Sequence, residues 1–597
     1  MTFGIGIDRM NTEQHRDLKH GFTVSQNPKS GFRIRGAPSA AWRTGWILAA
    51  FLTVVFVAPG CWVPGPDGPA DTYGLDFSLP TGATTQGAIV FIVDGINVEI
   101  FDQMLNAGEL PAIKKYFVER GLYTSRAVAN IPSVTLPNLT SIATGCFPGH
   151  HSVVGINWFD RNNLIWRDYT TIAQKNMLDT DHLTPLIYEY FPQDLTFSVF
   201  YQPHRGATKF IENWTSAGPP YFFGWYHFVD RLTLSRFDVV MNTARQHARF
   251  PAITTVYMLT PDFVAYEAGS DTADYRSALK HTDRQIGRVL GDIQRAGYLD
   301  KIVIALVSDH GHWPVKHHFP VDDYLRDKVG LSLNRSRWFE STPYERRLGF
   351  YKDVTAVPYG SGDRYWAVCL RKPARNEHGE PIGWESWLDR PSVEDMRRFP
   401  ACKPGGLFQA PTPYIVDLLQ VLVDEPAVDA LAYRVDGQHV RVRRKQGEVE
   451  FRQAARGEPI SYRVIAGQDP LAWSGQVPAE ALGGKPRSSR QWLEATAGTE
   501  FPDLPAQILA YFRATRRAGD LVMFAAPGYD FGKVNKAGHG GIRPGDMIVP
   551  MIVAGPGVPN VRVNAARTAD LVPTLLHLLG KPIPPHVDGE SLIRAAP

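Results

Sequence analysis

Six apolar residues in a row, Ala88-Ile89-Val90-Phe91-Ile92-Val93, stop abruptly at Asp94-Gly95. A short unbroken apolar run ended by a turn signal is the pattern of a strand buried on both faces of a parallel sheet. The pattern recurs downstream. Residues 253–259 are strand-like and end in Thr260-Pro261-Asp262, and residues 302–307 are apolar and end in Ser308-Asp309-His310-Gly311-His312. Between them, residues 273–296 form one long amphipathic helix. Strand, helix and strand in alternation predict a doubly wound α/β sheet with helices on both faces. Helices are also expected over 98–108, 111–120 and 234–246, and a strand over 195–200. Residues 133–145 read as a loop entering a helix, with Pro137 in its first turn and Gly145 as its stop. Thr135 then lies just before a helix N-terminus, where free N–H groups and the dipole favour an anion.

Residues 313–520 have no such regularity. A helix is expected at 415–423, a hairpin over 433–451 around Asp436-Gly437, and a further strand at 460–465. The aromatic-rich stretch 213–228 reads as a covering loop. The α/β pattern is expected to resume at 521–525, followed by Lys536-Ala537-Gly538-His539-Gly540-Gly541, a strand at 548–554 and a final helix at 568–579 stopped by Gly580. The expected organisation is a leader and linker over 1–69, an α/β core over 70–325, an inserted, partly β cap over 326–517, and the rest of the core over 518–597.

Composition excludes some classes. With 44% hydrophobic and 21% charged residues the chain is globular and not disordered. Lys+Arg of 63 against Asp+Glu of 60, with no basic tract, argues against a dedicated nucleic-acid surface. Near the N-terminus, Arg33, Arg35 and Arg43 precede an apolar segment, 46–58, that is short for a membrane span. It reads as an export signal, with a retained anchor helix as the alternative. Cys61 follows as in a lipoprotein cleavage site, although Ala58 stands where such sites carry Leu. Export to a periplasm or membrane surface is therefore expected, with membrane association through the N-terminus only. It would permit a disulfide, for which Cys369 and Cys402 are the candidates.

Asp94, Asp262, Asp309, His310 and His539 all follow strand-like segments or lie in Gly-rich loops. Carboxylates and imidazoles gathered on one sheet edge need a positive charge between them. Mixed Asp/His ligation fits zinc, with manganese or iron as substitutes. A hydroxyl beside such an ion, here Thr135, becomes a nucleophile.

These residues resemble a known family. Val93-Asp94-Gly95, Thr135-Leu136-Pro137-Asn138 with Thr144-Gly145, Pro261-Asp262, Ser308-Asp309-His310-Gly311 and Gly538-His539-Gly540-Gly541 are similar to the motifs of the alkaline phosphatase superfamily, in its nucleotide pyrophosphatase/phosphodiesterase branch. The resemblance covers roughly 86–325 and 518–593. It implies an alkaline-phosphatase-like fold and hydrolysis of a small-molecule or lipid phosphoester through a phospho-threonine on Thr135. Phosphomonoester or phosphonate hydrolysis, and phosphoryl transfer to an envelope lipid or glycan, are the alternatives. It also implies two divalent metal ions. Asp94, Thr135, Asp309 and His310 would hold one; Asp262, a His four residues later, and His539 would hold the other. This chain departs from the pattern twice. Position 266 is Tyr, leaving Tyr266 as a weak ligand or His312, His317 or His318 as a substitute. Ile156 stands where the branch has a phosphoryl-contacting Asn, so Asn157, one position on, is the expected substrate contact.

Overall fold

The computed structural model describes residues 74–593, apart from 172–173, 213–217, 219, 222, 335–341, 404–411 and 515. The expected signal, lipoprotein cysteine and linker thus lie outside the described residues. No helix among those described is long and apolar enough to cross a membrane.

The first apolar run forms the strand Ala88–Val93, buried throughout, in an eight-stranded sheet. It pairs in parallel with Ile253–Met258 on one side and Val303–Val307 on the other. The three strands that carry Asp94, Asp262 and Asp309 are therefore immediate neighbours, and their carboxyl ends lie at one edge, where open α/β sheets place their ligands. Thr196–Val199 and Lys209–Ile211 extend the sheet in parallel beyond Ile253–Met258. On the far side Ile548–Ala554 runs antiparallel between Val303–Val307 and Gly121–Val128.

Alternation of side chains along the strands explains the helices on both faces. Ile89, Phe91 and Val93 meet Phe101, Met104, Val240, Leu279, Ile286 and Leu290 of three helices. Ala88, Val90 and Ile92 meet Leu139, Ile142, Leu571 and Leu575 of two others. The doubly wound reading holds, and the long helix is Ala273–Arg295.

A second, seven-stranded antiparallel sheet is the main departure from the sequence reading. Its order is Ala356–Ser361, Tyr365–Leu370, Leu521–Ala525, Val428–Arg434, His439–Arg444, Gly447–Arg452, Ser461–Gly467. The hairpin at Asp436-Gly437 is present. Leu521–Ala525, however, does not resume the α/β sheet; it pairs with Tyr365–Leu370 and Val428–Arg434 inside this one. The helix expected at 415–423 is confined to Leu418–Val423, because the Asp417 side chain caps it by accepting from the Gln420 N–H. The stretch read as a covering loop ends in a helix, Tyr226–Ser235.

Cys146, Cys369 and Cys402 are free thiols. Cys369 is buried in the core packed on the second sheet, whereas Cys402 lies on a separate two-stranded ribbon, so the expected disulfide is not formed.

Candidate functional site

Each site residue is delivered by a strand end or a tight loop. Asp94 follows its strand directly, and its N–H donates to the Met258 carbonyl (2.9 Å), locking the edge. Asp262 lies in the first turn of the helix Thr260–Ala268. The buried Asp230 caps that helix by accepting from the Leu259 N–H at 2.9 Å and the Thr260 N–H at 3.3 Å. Asp309 accepts from the backbone N–H of His310 (3.0 Å) and of Gly95 (3.3 Å). Ser308 ties the two strand ends together, accepting from the Ile96 N–H and donating to the His310 carbonyl, both at 2.9 Å.

Thr135 is the first residue of the helix Thr135–Thr144, after Val134 in extended conformation, and is half-buried. The first N–H groups of a helix have no intrahelical acceptor and face outward. Asn138 organises the loop that leads into it. Its Nδ2 donates to the carbonyls of Asn130 (3.1 Å), Pro132 (2.8 Å) and Val134 (3.1 Å), and its Oδ1 accepts from the Asn130 N–H (2.6 Å). Ser133 joins this loop to the Gly538–Gly541 loop. Its Oγ donates to the Gly541 carbonyl (2.8 Å), and its own carbonyl accepts from His539 Nδ1 (2.9 Å).

Two clusters result. In the first, His310 Nδ1–H donates to the Gly311 carbonyl (3.1 Å), which leaves the lone pair on Nε2. That atom lies 3.2 Å from Asp94 Oδ1, 3.4 Å from Asp309 Oδ2 and 3.0 Å from Thr135 Oγ1. In the second, Asp262, His310, His312 and His539 present ligand atoms within 4.8 Å of one another. His312 Nε2 is 2.6 Å from Asp262 Oδ1, and His539 Nε2 is 3.9 Å from the same oxygen. Tyr266 donates its phenol proton to His539 Nε2 at 2.6 Å.

Burial, and then mutual repulsion with Asp262 or Asp94, holds Asp94 and Asp309 well above the usual carboxylate range. Burial pushes Asp262 up to about 8. It also holds His310 and His539 far below the usual imidazole range, with neighbouring histidines adding to the effect, and brings His312 down to about 3. The imidazoles are therefore neutral, and their contacts with the carboxylates are not ion pairs. Asp94 Oδ1 and Asp309 Oδ2 are buried beside each other and His310 Nε2, with no hydrogen bond from any other residue. Two carboxyl oxygens and an imidazole nitrogen converge here without a donor from elsewhere in the chain, and a divalent cation would replace the protons that burial otherwise keeps on the carboxyls. The donor set suits such an ion, and both clusters could hold one.

Sequence reasoning placed Asp94, Thr135, Asp262, Tyr266, Asp309, His310 and His539 together, and the structure brings all seven to one edge. Among the substitutes considered for a second-site histidine, His312 is in the cluster. His317 and His318 are exposed, and His318 pairs with Asp530 at 2.8 Å. Asn157 opens the strand Asn157–Asp160, with Oδ1 buried and unpartnered. The preceding Ile156 N–H donates to Ser361 Oγ (3.2 Å), next to Gly362, whose missing side chain leaves room for the His539 ring. Two groups were missed. Tyr257 donates its hydroxyl proton to Asp94 Oδ2. It lies five residues before Asp262 on an apolar strand, where a lone phenol carries no signal. The buried pair Arg364–Asp546 (2.9 Å) links the two histidine loops: the Arg364 N–H donates to the His539 carbonyl (3.0 Å), and the Asp546 carbonyl accepts from the Gly311 N–H (2.9 Å).

Residues 88–359 match the family model of type I phosphodiesterase/nucleotide pyrophosphatase. The chain is 24% identical over 249 residues to mouse ectonucleotide pyrophosphatase/phosphodiesterase family member 1, covering 40% of this chain and 26% of that protein. It is 24% identical over 243 residues to venom phosphodiesterase 2 of Crotalus adamanteus, covering 39% and 27%. It is 21% identical over 233 residues to Xenopus laevis bis(5'-adenosyl)-triphosphatase enpp4, covering 39% and 48%. The match thus spans about a quarter to a half of these relatives' length. Among solved structures, murine ectonucleotide pyrophosphatase/phosphodiesterase 5 aligns with a TM-score of 0.49 at 13% identity, over 84% of this chain and 97% of that one. The three aspartate-bearing strands and the threonine helix all fall inside the matched segment, so the part of this chain similar to the type I phosphodiesterase/nucleotide pyrophosphatase family is the part that builds the first cluster.

Proposed function

We propose that this protein is a metal-dependent phosphoric ester hydrolase that cleaves phosphodiester or nucleotide pyrophosphate bonds, with Thr135 as nucleophile. One observation carries the reading: the Thr135 hydroxyl, at the start of a helix, lies 3.0 Å from the His310 Nε2 that also faces Asp94 Oδ1 and Asp309 Oδ2. A nucleophile, a metal-ligand set and an anion-favouring helix terminus coincide at one point.

Asp94, Thr135, Asp309 and His310 would hold one divalent ion; Asp262 and His539, with Tyr266 by position, would hold the second, and zinc suits the mixed donors. When bound, these ions supply positive charge that lowers the pKa of coordinated hydroxyl groups and water and offsets charge building on phosphoryl oxygens. The chain's own residues do the rest. Thr135 Oγ is aimed from the first helical turn and attacks phosphorus, so that a Thr135–phosphoryl ester forms as the bond to the leaving oxygen breaks. Water then cleaves that ester and restores the hydroxyl. The N–H groups of Thr135 and Leu136 offer donors to the phosphoryl oxygens. Asn157 contacts the same group, a role supported by the link through Ile156 and Ser361 to the backbone beside His539. The substrate is a small phosphoester; venom phosphodiesterase 2, the triphosphatase enpp4, and an inactive variant of murine ectonucleotide pyrophosphatase/phosphodiesterase 5 in complex with AMP make a nucleotide the first to test. Export through the N-terminal segment, with Cys61 as lipid acceptor, and an insert-bearing catalytic core complete the reading.

Thr135→Ala should abolish turnover of bis-p-nitrophenyl phosphate and of nucleotide substrates, while Thr135→Ser retains a measurable rate. Wild-type turnover by Thr135→Ala would remove the assignment.

A further inference from the structure

Tyr266 stands four residues after Asp262, where the proposed ligand pattern calls for an imidazole. A phenol, with an ordinary pKa near 10, is a poor ligand in its neutral form. We infer that His312, not Tyr266, completes the second metal site, so that Asp262, His312 and His539 hold the second divalent ion and the Asp309–His312 loop serves both ions. The inference rests on the two-ion reading above and changes its ligand set.

Backbone pairing argues for it first. Trp313–Pro314 forms a two-residue antiparallel ladder with Ala537–Gly538, with Gly538 opposite Trp313 and Ala537 opposite Pro314. Continuing that register by one residue sets His312 opposite His539, and their ring centroids are 5.2 Å apart. The backbone ladder thus presents the two imidazoles as a pair.

Side-chain geometry agrees. His312 is 1% exposed, and its Nε2 lies 2.6 Å from Asp262 Oδ1. Its Nδ1 is buried without a hydrogen-bond partner. Gly95 makes the approach feasible: a Cβ there would lie 2.8 Å from His312 Cδ2 and 2.9 Å from Asp262 Cα. Tyr266, by contrast, offers a neutral phenol whose hydrogen bond to His539 Nε2 would give way to an ion on that nitrogen.

The test is metal binding by the full chain, stripped with chelator and titrated with Zn2+ or Co2+ against a chromophoric competitor. Wild type and Tyr266→Phe should each take up two ions per chain. His312→Ala should keep one ion and lose affinity for the other by at least about a thousandfold, because loss of an outer partner costs only about 10- to 100-fold. His312→Cys, loaded with Co2+, should show a near-ultraviolet thiolate-to-cobalt charge-transfer band, which a residue outside the coordination sphere cannot give. Loss of an ion in Tyr266→Phe, a loss of 100-fold or less in His312→Ala, fewer than two ions in wild type, or no charge-transfer band in a folded His312→Cys would each overturn the inference. Two ions in wild type without phosphoester cleavage would instead defeat the proposed hydrolase and leave this ligand set standing.

Discussion

Asn138 is the residue whose removal tests how the nucleophile is held. It is fully buried and makes hydrogen bonds to four backbone groups of the loop 130–134. Not all of these are lost in Asn138→Ala. The Pro132 carbonyl still accepts from the Val134 N–H, and the Val134 carbonyl from the N–H of residue 138. Only the N–H and C=O of the buried Asn130 are stranded. A stranded buried group costs about 1–3 kcal/mol, so the two together cost roughly 2–6 kcal/mol, concentrated in the loop that ends at Thr135. Local opening controls amide exchange there, and each 1.4 kcal/mol or so is a factor of ten. Hydrogen-exchange mass spectrometry should therefore show protection of residues 129–135 falling at least about thirtyfold, with the strand Ala88–Val93 little changed. Turnover should fall with it, since a nucleophile displaced by about 1 Å costs on the order of a hundredfold. Asn138→Asp should be worse than Asn138→Ala, because it turns a donor toward three carbonyls into a negative charge. An Asn138→Ala protein with unchanged protection over 129–135, or an Asp variant milder than the Ala variant, would refute this account.

Gly95→Ala places a Cβ against His312 and Asp262 at a φ of +68°; activity should fall at least about a hundredfold while far-ultraviolet circular dichroism is retained, and near-wild-type kcat would exclude the close approach described. The metal-stripped protein should lose stability as pH rises from 6.5 to 8. Burial pushes Asp262 up to about 8 and Asp230 up to about 7, both above the ordinary 3.8, so the stability their protons confer is complete below pH 3.8 and is lost as pH rises through those values. The buried histidines act in the opposite sense, but only below their ordinary 6.5. A thermal midpoint of stripped protein that climbs between pH 6.5 and 8 would contradict the sign.

The aspartate-bearing strands were legible because a fully buried strand must be apolar without interruption and must stop where its carboxylate turns to the ligand edge. Asp94, Asp262 and Asp309 needed only that pattern. The second sheet was not legible, because one of its inner strands, Leu521–Ala525, is an apolar run like those of the first sheet, and nothing local says which sheet it joins. Its partner hairpin did carry a signal: Gly362-Asp363, both at positive φ, is a turn pair between two β-rich runs. Arg364 and Asp546 are separated by most of the second sheet, and a buried ion pair between distant segments leaves no periodic trace. His312 was visible as a histidine near the ligand loop, but only the ladder with Ala537–Gly538 distinguishes it from His317 and His318.

The position of Ile548–Ala554 has a bearing on biogenesis. It is the strand that joins Gly121–Val128 to Val303–Val307, so until it is in place the first of these has no partner in the sheet other than the still later Ala566–Arg567. His539 comes from the loop just before it. A ribosome that has made the first five hundred residues has therefore made every aspartate of the site and the three adjacent strands that align them, and yet Gly121–Val128 is still unjoined to those strands and the His539 imidazole is missing. Capture of the second ion must wait until nearly the whole chain has emerged, whereas every ligand proposed for the first ion is made by residue 310.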